Sequence, residues 1–422
     1  MRDWAAETFR SLRIPNYRLW TAGSLVSNIG TWMQRIAQDW LVLTQLTHHS
    51  AAAVGIVSGL QFGPQLLFLP WTGSAADRFD QRKLMLITQS AMGLLAVGLG
   101  LMTIAGVIAL WQVYIFAFLL GTAAAFDAPA RQTFVAELVG EEDLSNAVAL
   151  NSTSFNAARM VGPAAAGLLI GSVGTGWAFL LNGLSYFAVV LSLAMLRLDQ
   201  LHPAARAKRA HDGFVEGLRY VWRRADLVAM LVMLFLMGTF GMNFAIFTST
   251  MAVRVFHTGA RGYGLLSSLM AIGTITGALL AAGRARATFG QLISGTGIFG
   301  LGCALAALSP NYWLFGGMLA VIGVASLTFL NSSNSLMQLS TEPSMRGRVM
   351  AIRMAIVMGG TPLGAPLVGW IADNFGPRLA LGVGALSGFL AALIGLAHTA
   401  RAGNLNRALW SKIPPTPGES LK

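Results

Sequence analysis

The chain has 422 residues, 55% of them hydrophobic and 11% charged, with a net charge of +12 and a single cysteine, Cys303. So apolar a composition excludes an ordinary soluble domain and points to a protein that lives in a membrane. The lone cysteine excludes an intramolecular disulfide, and without a Gly-x-x-x-x-Gly-Lys-Ser/Thr sequence ATP hydrolysis is not the expected energy source.

A helical crossing of the bilayer takes about 20 apolar residues. By that measure the sequence predicts twelve helices, and runs this long exclude a transmembrane barrel, whose strands alternate in short segments. Helix 1 (19–43) follows Arg2, Arg10, Arg13 and Arg18 without a small-residue cleavage site, so it reads as a retained span. It carries Arg35 and Asp39, four residues apart and therefore on one face, with Asn28, Thr31 and Gln38 on the same broad side. An ionisable group at bilayer depth is costly and usually faces a partner or a wet cavity. The same two residues also suit a structural ion pair near the outer end of the helix. His48 and His49 follow in a short loop with no cysteine or acid nearby, so no metal site is expected.

Helix 2 (51–75) runs into the charged turn GSAADRFDQRK (73–83), which leads to helix 3 (84–105) and helix 4 (110–127), ending at Asp127. Helix 5 (147–171) holds Asn156 and Arg159, then Gly162, Pro163 and Gly167, a kink with close helix packing. After helix 6 (176–196) comes the longest polar break, within which FVEGLRYVWRR is an amphipathic pattern suited to a membrane surface. Helices 7 to 12 follow at 227–252, 262–283, 288–308, 312–334, 350–371 and 379–399. Asn243 and Thr248 in helix 7, and Asn331, Ser332, Ser333 and Asn334 in helix 10, add polar groups to this second half. Trp32, Phe62, Phe240 and Phe244 supply large apolar side chains for a cavity, or serve packing and lipid contact. The division expected is a six-helix bundle over 1–198, a linker over 199–225, a second bundle over 226–400 and a tail over 401–422. Loose repeats support two related halves: AVGIVS (53–58) with YGLLS (263–267), and GPAAAG (162–167) with TPLGAP (361–366).

Lysine and arginine crowd the first tail and every second connection after it, including 78, 82 and 83, the stretch from 197 to 224, and 346 to 353. The opposite connections hold only Arg254, Arg261 and Arg378. The bias places both termini in the cytoplasm and accounts for the positive charge without nucleic acid.

Gly73, Asp77, Arg78, Arg82 and Lys83 match the Gly-x-x-x-Asp-Arg-x-Gly-Arg-Lys signature of the major facilitator superfamily, with Asp80 where a glycine is usual. SNIGTWMQRIAQDWLVL, FDAPARQTFVAELV, NSTSFNAARMVGPAAAG and RGRVMAI resemble its enterobactin-exporter-like, or transmembrane secretion effector, branch, related to macrolide efflux proteins. The resemblance covers residues 15–400. It implies an all-α membrane protein of twelve transmembrane helices in two pseudo-symmetric six-helix bundles, and a gate in which Asp77 faces the N-terminus of helix 11 while Arg82 pairs with Asp127. Anchoring alone would need the basic residues but not Asp77. The glycine and proline pattern of helix 5 resembles that of superfamily members running export or antiport, with Ala166 where a second adjacent glycine is usual.

The expected activity is proton-coupled export of small amphiphilic organic molecules, drug-like or siderophore-like. The protein would be a monomer in the inner membrane of a bacterium, without metal or cofactor and not an enzyme. Its partners would be the lipid bilayer, the substrate and protons, with Asp39 beside Arg35 as the proton-coupling group. Asn28, Gln38, Asn156, Arg159, Asn243, Asn331 and Asn334 would line the substrate cavity. An importer of the same fold, or a sensor that moves nothing, are the alternatives.

Overall fold

The computed structural model describes residues 7–69, 71, 72, 75, 79–202, 214–282 and 287–410. Its helices are α1 (Pro15–Trp40, prolonged by a π turn, Leu41–Leu46), α2 (Ala51–Leu67), α3 (Gln81–Ile104), α4 (110–139), α5 (141–173), α6 (Thr175–Ala194), α7 (Ala225–Val255), α8 (Ala260–Ala282), α9 (Phe289–Leu308), α10 (Tyr312–Ser340), α11 (Pro343–Phe375) and α12 (Pro377–Trp410). Twelve helices therefore stand where the sequence predicts twelve. Among the described residues, nine helical stretches are long and apolar enough to cross a membrane, one of them holding both α4 and α5. The amphipathic segment between α6 and α7 forms a short helix (Phe214–Trp222) docked on the start of α11, where Arg348 and Glu216 form an ion pair at 2.9 Å.

The largest departure from expectation is the connection between helices 4 and 5. Residues 128–146 are helical rather than a polar loop, and the main chain leaves the helical region only at Gly140, whose φ of 74° suits a residue without a Cβ. Hydropathy misses this stretch because only one stripe of it is apolar. Ala130, Phe134, Val135, Leu138 and Val139 recur at helical spacing and are buried against Tyr17, Trp20 and Met85. Pro163, where the sequence suggests a kink, lies inside α5 with helical dihedrals on both sides.

α7 is discontinuous. A π turn over Met237–Gly241 and a break at Met242 and Asn243 separate its two helical parts, and a second π turn (Met251–Val255) ends it. α1 ends in the same way. The loops that follow each contain a histidine with positive φ, His49 at 62° and His257 at 50°. The two halves thus repeat in backbone detail as well as in sequence.

The halves meet along two helix pairs, α2 with α11 and α5 with α8. Without a hydrophobic drive between helices in lipid, small residues that let backbones touch become the means of association. A Cβ on Gly55 of α2 would run into the carbonyl of Ala365, and one on Gly369 of α11 into that of Ala51. In the second pair, a Cβ on Gly264 of α8 would meet the carbonyl of Pro163, and one on Gly167 of α5 would lie 2.8 Å from that of Ala260. Exposed tryptophans ring both ends of the bundle: Trp111, Trp177, Trp313 and Trp370 at one, Trp71 and Trp222 at the other. That is the distribution of an interfacial aromatic belt.

At the end with four tryptophans, a single carboxylate ties the halves together. Asp373 of α11 accepts hydrogen bonds from the Ala51 and Ala52 N–H groups at 2.7 and 2.9 Å and from Ser50 Oγ at 2.9 Å, so it caps the N-terminus of α2. Arg254, at the end of α7, donates to the same carboxylate at 3.2 Å and to the Ala372 carbonyl at 3.1 Å. A cap of this kind is worth about 0.5–2 kcal/mol, with a further contribution from the helix dipole. Asp373→Ala is therefore expected to move the balance between the closed and open states of this end by about tenfold toward open. Double electron–electron resonance between nitroxides at His48 and Phe375, both exposed, reads this as a longer distance population. An unchanged distribution would mean that packing alone closes this end.

Candidate transport cavity

Between the halves lies a cavity of about 270 Å³. α1 contributes Trp32, Arg35 and Asp39, which share a face by their spacing. The rest of the N-terminal wall is Ser58, Gln61 and Phe62 of α2 with Arg159 and Pro163 of α5. The C-terminal half adds Met242, Asn243, Phe244 and Thr248 from the broken part of α7, Tyr263, Ser267 and Met270 of α8, and Thr361 and Ala365 of α11. The break in α7 places Asn243 there: its side-chain amide donates to the Thr239 carbonyl at 2.7 Å, while its Oδ1 has no hydrogen-bond partner among the described residues. Unwound backbone is tolerated in a membrane protein where it lines such a cavity.

The three charged groups of the wall are held differently. Asp39 accepts a 2.9 Å hydrogen bond from the Tyr263 hydroxyl, across the boundary between the halves. Tyr263 in turn stacks on Trp40, with ring centroids 6.3 Å apart. Arg35 and Asp39, expected as a pair, make no ion pair in this state. The guanidinium carbon of Arg35 lies 4.6 Å from the Trp32 ring centroid and 5.2 Å from that of Phe62, and that of Arg159 lies 5.4 Å from Trp32. Arg35 and Gln61 also border a second, smaller cavity of about 60 Å³, next to Gln34, Gln65 and Tyr186.

Of the residues expected in the cavity, Arg159 and Asn243 line it; Asn28, Gln38, Asn156, Asn331 and Asn334 do not. Gln38 is fully buried and accepts from Gln61 Nε2 at 3.0 Å. Asn156, one turn before Arg159, donates to the Ser152 carbonyl at 2.8 Å, and Asn28 is half-buried a turn before Trp32. Asn331 and Asn334 miss the wall because α10 packs on α8 and α9. Phe240 is absent from the wall as well. Gly162 and Gly167 are close-packing positions rather than lining: a Cβ on Gly162 would stand 2.6 Å from that of Trp32. Tyr263 was not legible as a site residue, because its hydroxyl acquires meaning only from the opposite half.

At the other end of the bundle, Gly73, Asp77 and Arg78 of the expected gate lie outside the described residues. Asp80, the departure from the signature, is the N-cap of α3 and accepts from the N–H of Lys83 at 3.0 Å. The expected pair of Arg82 with Asp127 is not formed. Arg82 Nε donates to the Leu193 carbonyl at 2.8 Å. Asp127 is buried within the continuous helix and receives Arg131 at 3.1 Å, with Thr88 and Gln89 at 2.8 Å. The helical run through residues 128–146 is the cause, since it brings Arg131 one turn from Asp127.

The transmembrane secretion effector family matches residues 6–417. The chain is 26% identical over 359 residues to the staphyloferrin A transporter of Staphylococcus aureus, covering 84% of this chain and 89% of that protein. It is 27% identical over 388 residues to the enterobactin exporter of Citrobacter koseri, with 89% of each chain covered. To the multidrug efflux pump Tap of Mycolicibacterium fortuitum it is 28% identical, over 85% of this chain and 92% of that one. The same fold is seen in a bacterial homologue of the human lysosomal transporter Spinster, with a TM-score of 0.69 at 15% identity over 95% of this chain and 98% of that one. A family match over nearly the whole sequence, on twelve helices in two repeated halves around a central cavity, makes this chain a transporter of the transmembrane secretion effector family within the major facilitator superfamily.

Proposed function

We propose that the chain is a proton-coupled exporter of small amphiphilic organic molecules, working by alternating access as a monomer, with both termini in the cytoplasm of a bacterial cell. The names of its relatives support export, and the basic connections support the orientation. The observation that carries proton coupling is the Asp39–Tyr263 hydrogen bond: an acid in the cavity wall, with no ion pair among the described residues, bound to the opposite half. Separation of the halves breaks that contact and exposes the carboxylate, so protonation and conformation become linked.

The gate follows the same logic at the cytoplasmic end. α2 is capped by Asp373 of α11, whereas Glu342, which precedes α11, makes no side-chain cap there. We assign to Asp77 the reciprocal role of closing on the start of α11 when the outer end opens, with Arg78, Arg82 and Lys83 as the basic residues of the same gate sequence. The two six-helix units then move as bodies joined by the 199–225 linker, whose short helix rests on α11.

Proteoliposomes loaded with enterobactin or a lipophilic dye test the reading. Asp39→Asn is expected to bind and exchange substrate down its gradient while losing accumulation driven by a pH gradient. Tyr263→Phe, which keeps the ring and removes the donor, is expected to weaken coupling and speed opening. If Asp39→Asn concentrates substrate as well as the parent, the carboxylate is structural.

Orientation is checked separately with single cysteines in a Cys303→Ser background. An impermeant thiol reagent applied to intact cells should label a cysteine at His48 and spare one at Arg346, and the reverse pattern would invert the topology.

A further inference from the structure

The cavity wall holds two arginines against one aspartate, and the aspartate is engaged by Tyr263. Neither Arg35 nor Arg159 has a hydrogen-bond or ion-pair partner among the described residues; their contacts are with the faces of Trp32 and Phe62. A ring face meets the charge of a guanidinium but does not satisfy its five N–H donors. Two cations held beside one indole, without the carboxylate or carbonyl acceptors that Arg131, Arg254 and Arg353 have in the spans, form an arrangement completed from outside by an anion. Guanidinium groups suit planar oxyanions because they donate two parallel hydrogen bonds. The remaining wall is apolar where it is not weakly polar, with Phe62, Phe244, Met242 and Met270 around the pair.

We infer that this cavity selects amphiphilic organic anions, binding a carboxylate or comparable oxyanion between Arg35 and Arg159 and the apolar body against Trp32, Phe62 and Phe244. The inference rests on the transport reading above only for its purpose, since binding alone tests it. Asp39 sets the opposite preference next to the arginines, and so keeps the anion on the Arg159 side of the cavity rather than against α8.

The experiment compares three probes with one ring system, 2-naphthoate, 2-naphthylmethylammonium and 2-naphthalenemethanol, by equilibrium dialysis against the full chain in phosphatidylcholine nanodiscs, with empty nanodiscs subtracted. Naphthoate is expected to bind about tenfold more tightly than the ammonium probe. Arg35→Gln and Arg159→Gln should each weaken naphthoate by about tenfold and leave naphthalenemethanol unchanged, which shows that the cavity is intact. Equal binding of the ammonium probe, unaltered naphthoate binding in both variants, or no saturable binding of naphthoate would each overturn the inference. Arginine-dependent binding without pH-driven transport would sustain it while removing the exporter reading. Uphill transport restricted to cations would do the reverse.

Discussion

The structure depends on backbone touching backbone where the halves cross. Two of these contacts, Gly55 on Ala365 and Gly264 on Pro163, join repeated segments: AVGIVS of α2 lies on TPLGAP of α11, and YGLLS of α8 lies on GPAAAG of α5. In lipid such contacts are among the few forces available for association, and they require glycine on one side and an exposed carbonyl on the other. The same segments wall the cavity through Ser58, Pro163, Tyr263, Thr361 and Ala365. Helix contact and cavity are therefore one construction, and a side chain larger than hydrogen at Gly55 or Gly264 would push apart the surfaces that define the site.

Charge within the spans separates into two kinds. Asp127 is saturated by Arg131, Thr88 and Gln89, and Asp373 by two backbone amides, Ser50 and Arg254. These acids hold helices. Asp39, with Tyr263 as its hydrogen-bond donor, and the two arginines on Trp32 are left with capacity to spare. An incompletely satisfied charge at bilayer depth costs stability, and that cost is the physical ground for the roles proposed for these three residues. Two basic residues at the end with four tryptophans are of the holding kind. Arg254 joins the Asp373 cluster and Arg378 donates to the Ala307 and Ser309 carbonyls at 3.0 and 3.1 Å, closing the end of α9.

Hydropathy made the twelve spans legible because apolar length is a property of local sequence. It failed over residues 128–146, where one buried stripe under Tyr17 and Trp20 makes the helix and the average over the segment hides it. The cavity was half legible. Arg35, Asp39 and Arg159 stand out because charges within spans are rare, and Asn243 because it is polar in a similar setting. The asparagines of α10 share that polarity but pack on α8 and α9, and helix position within a half is not encoded in a single segment. Tyr263 and Asp373 act across the two halves, and neither is unusual for its own helix; Asp373 sits near a span end, where acids are common.

The α2–α11 pair carries the means of closure at one end and an uncapped helix start at the other. Asp373 satisfies the first amides of α2, while α11 begins at Pro343 with no side-chain cap. Pro343 has no N–H, Met345 N–H donates to the Glu342 carbonyl at 3.0 Å and Glu342 N–H to the Tyr220 hydroxyl at 3.5 Å, so it is chiefly the helix dipole that favours a carboxylate there. Two helices rocking about their glycine contacts near Gly55 and Ala365 cannot approach at both ends together, since shortening one gap lengthens the other. Opening at the Asp373 end therefore breaks the cap that this carboxylate gives to α2. A ligand or a proton bound in the cavity chooses between two arrangements of the pair only by as much as it binds one better than the other.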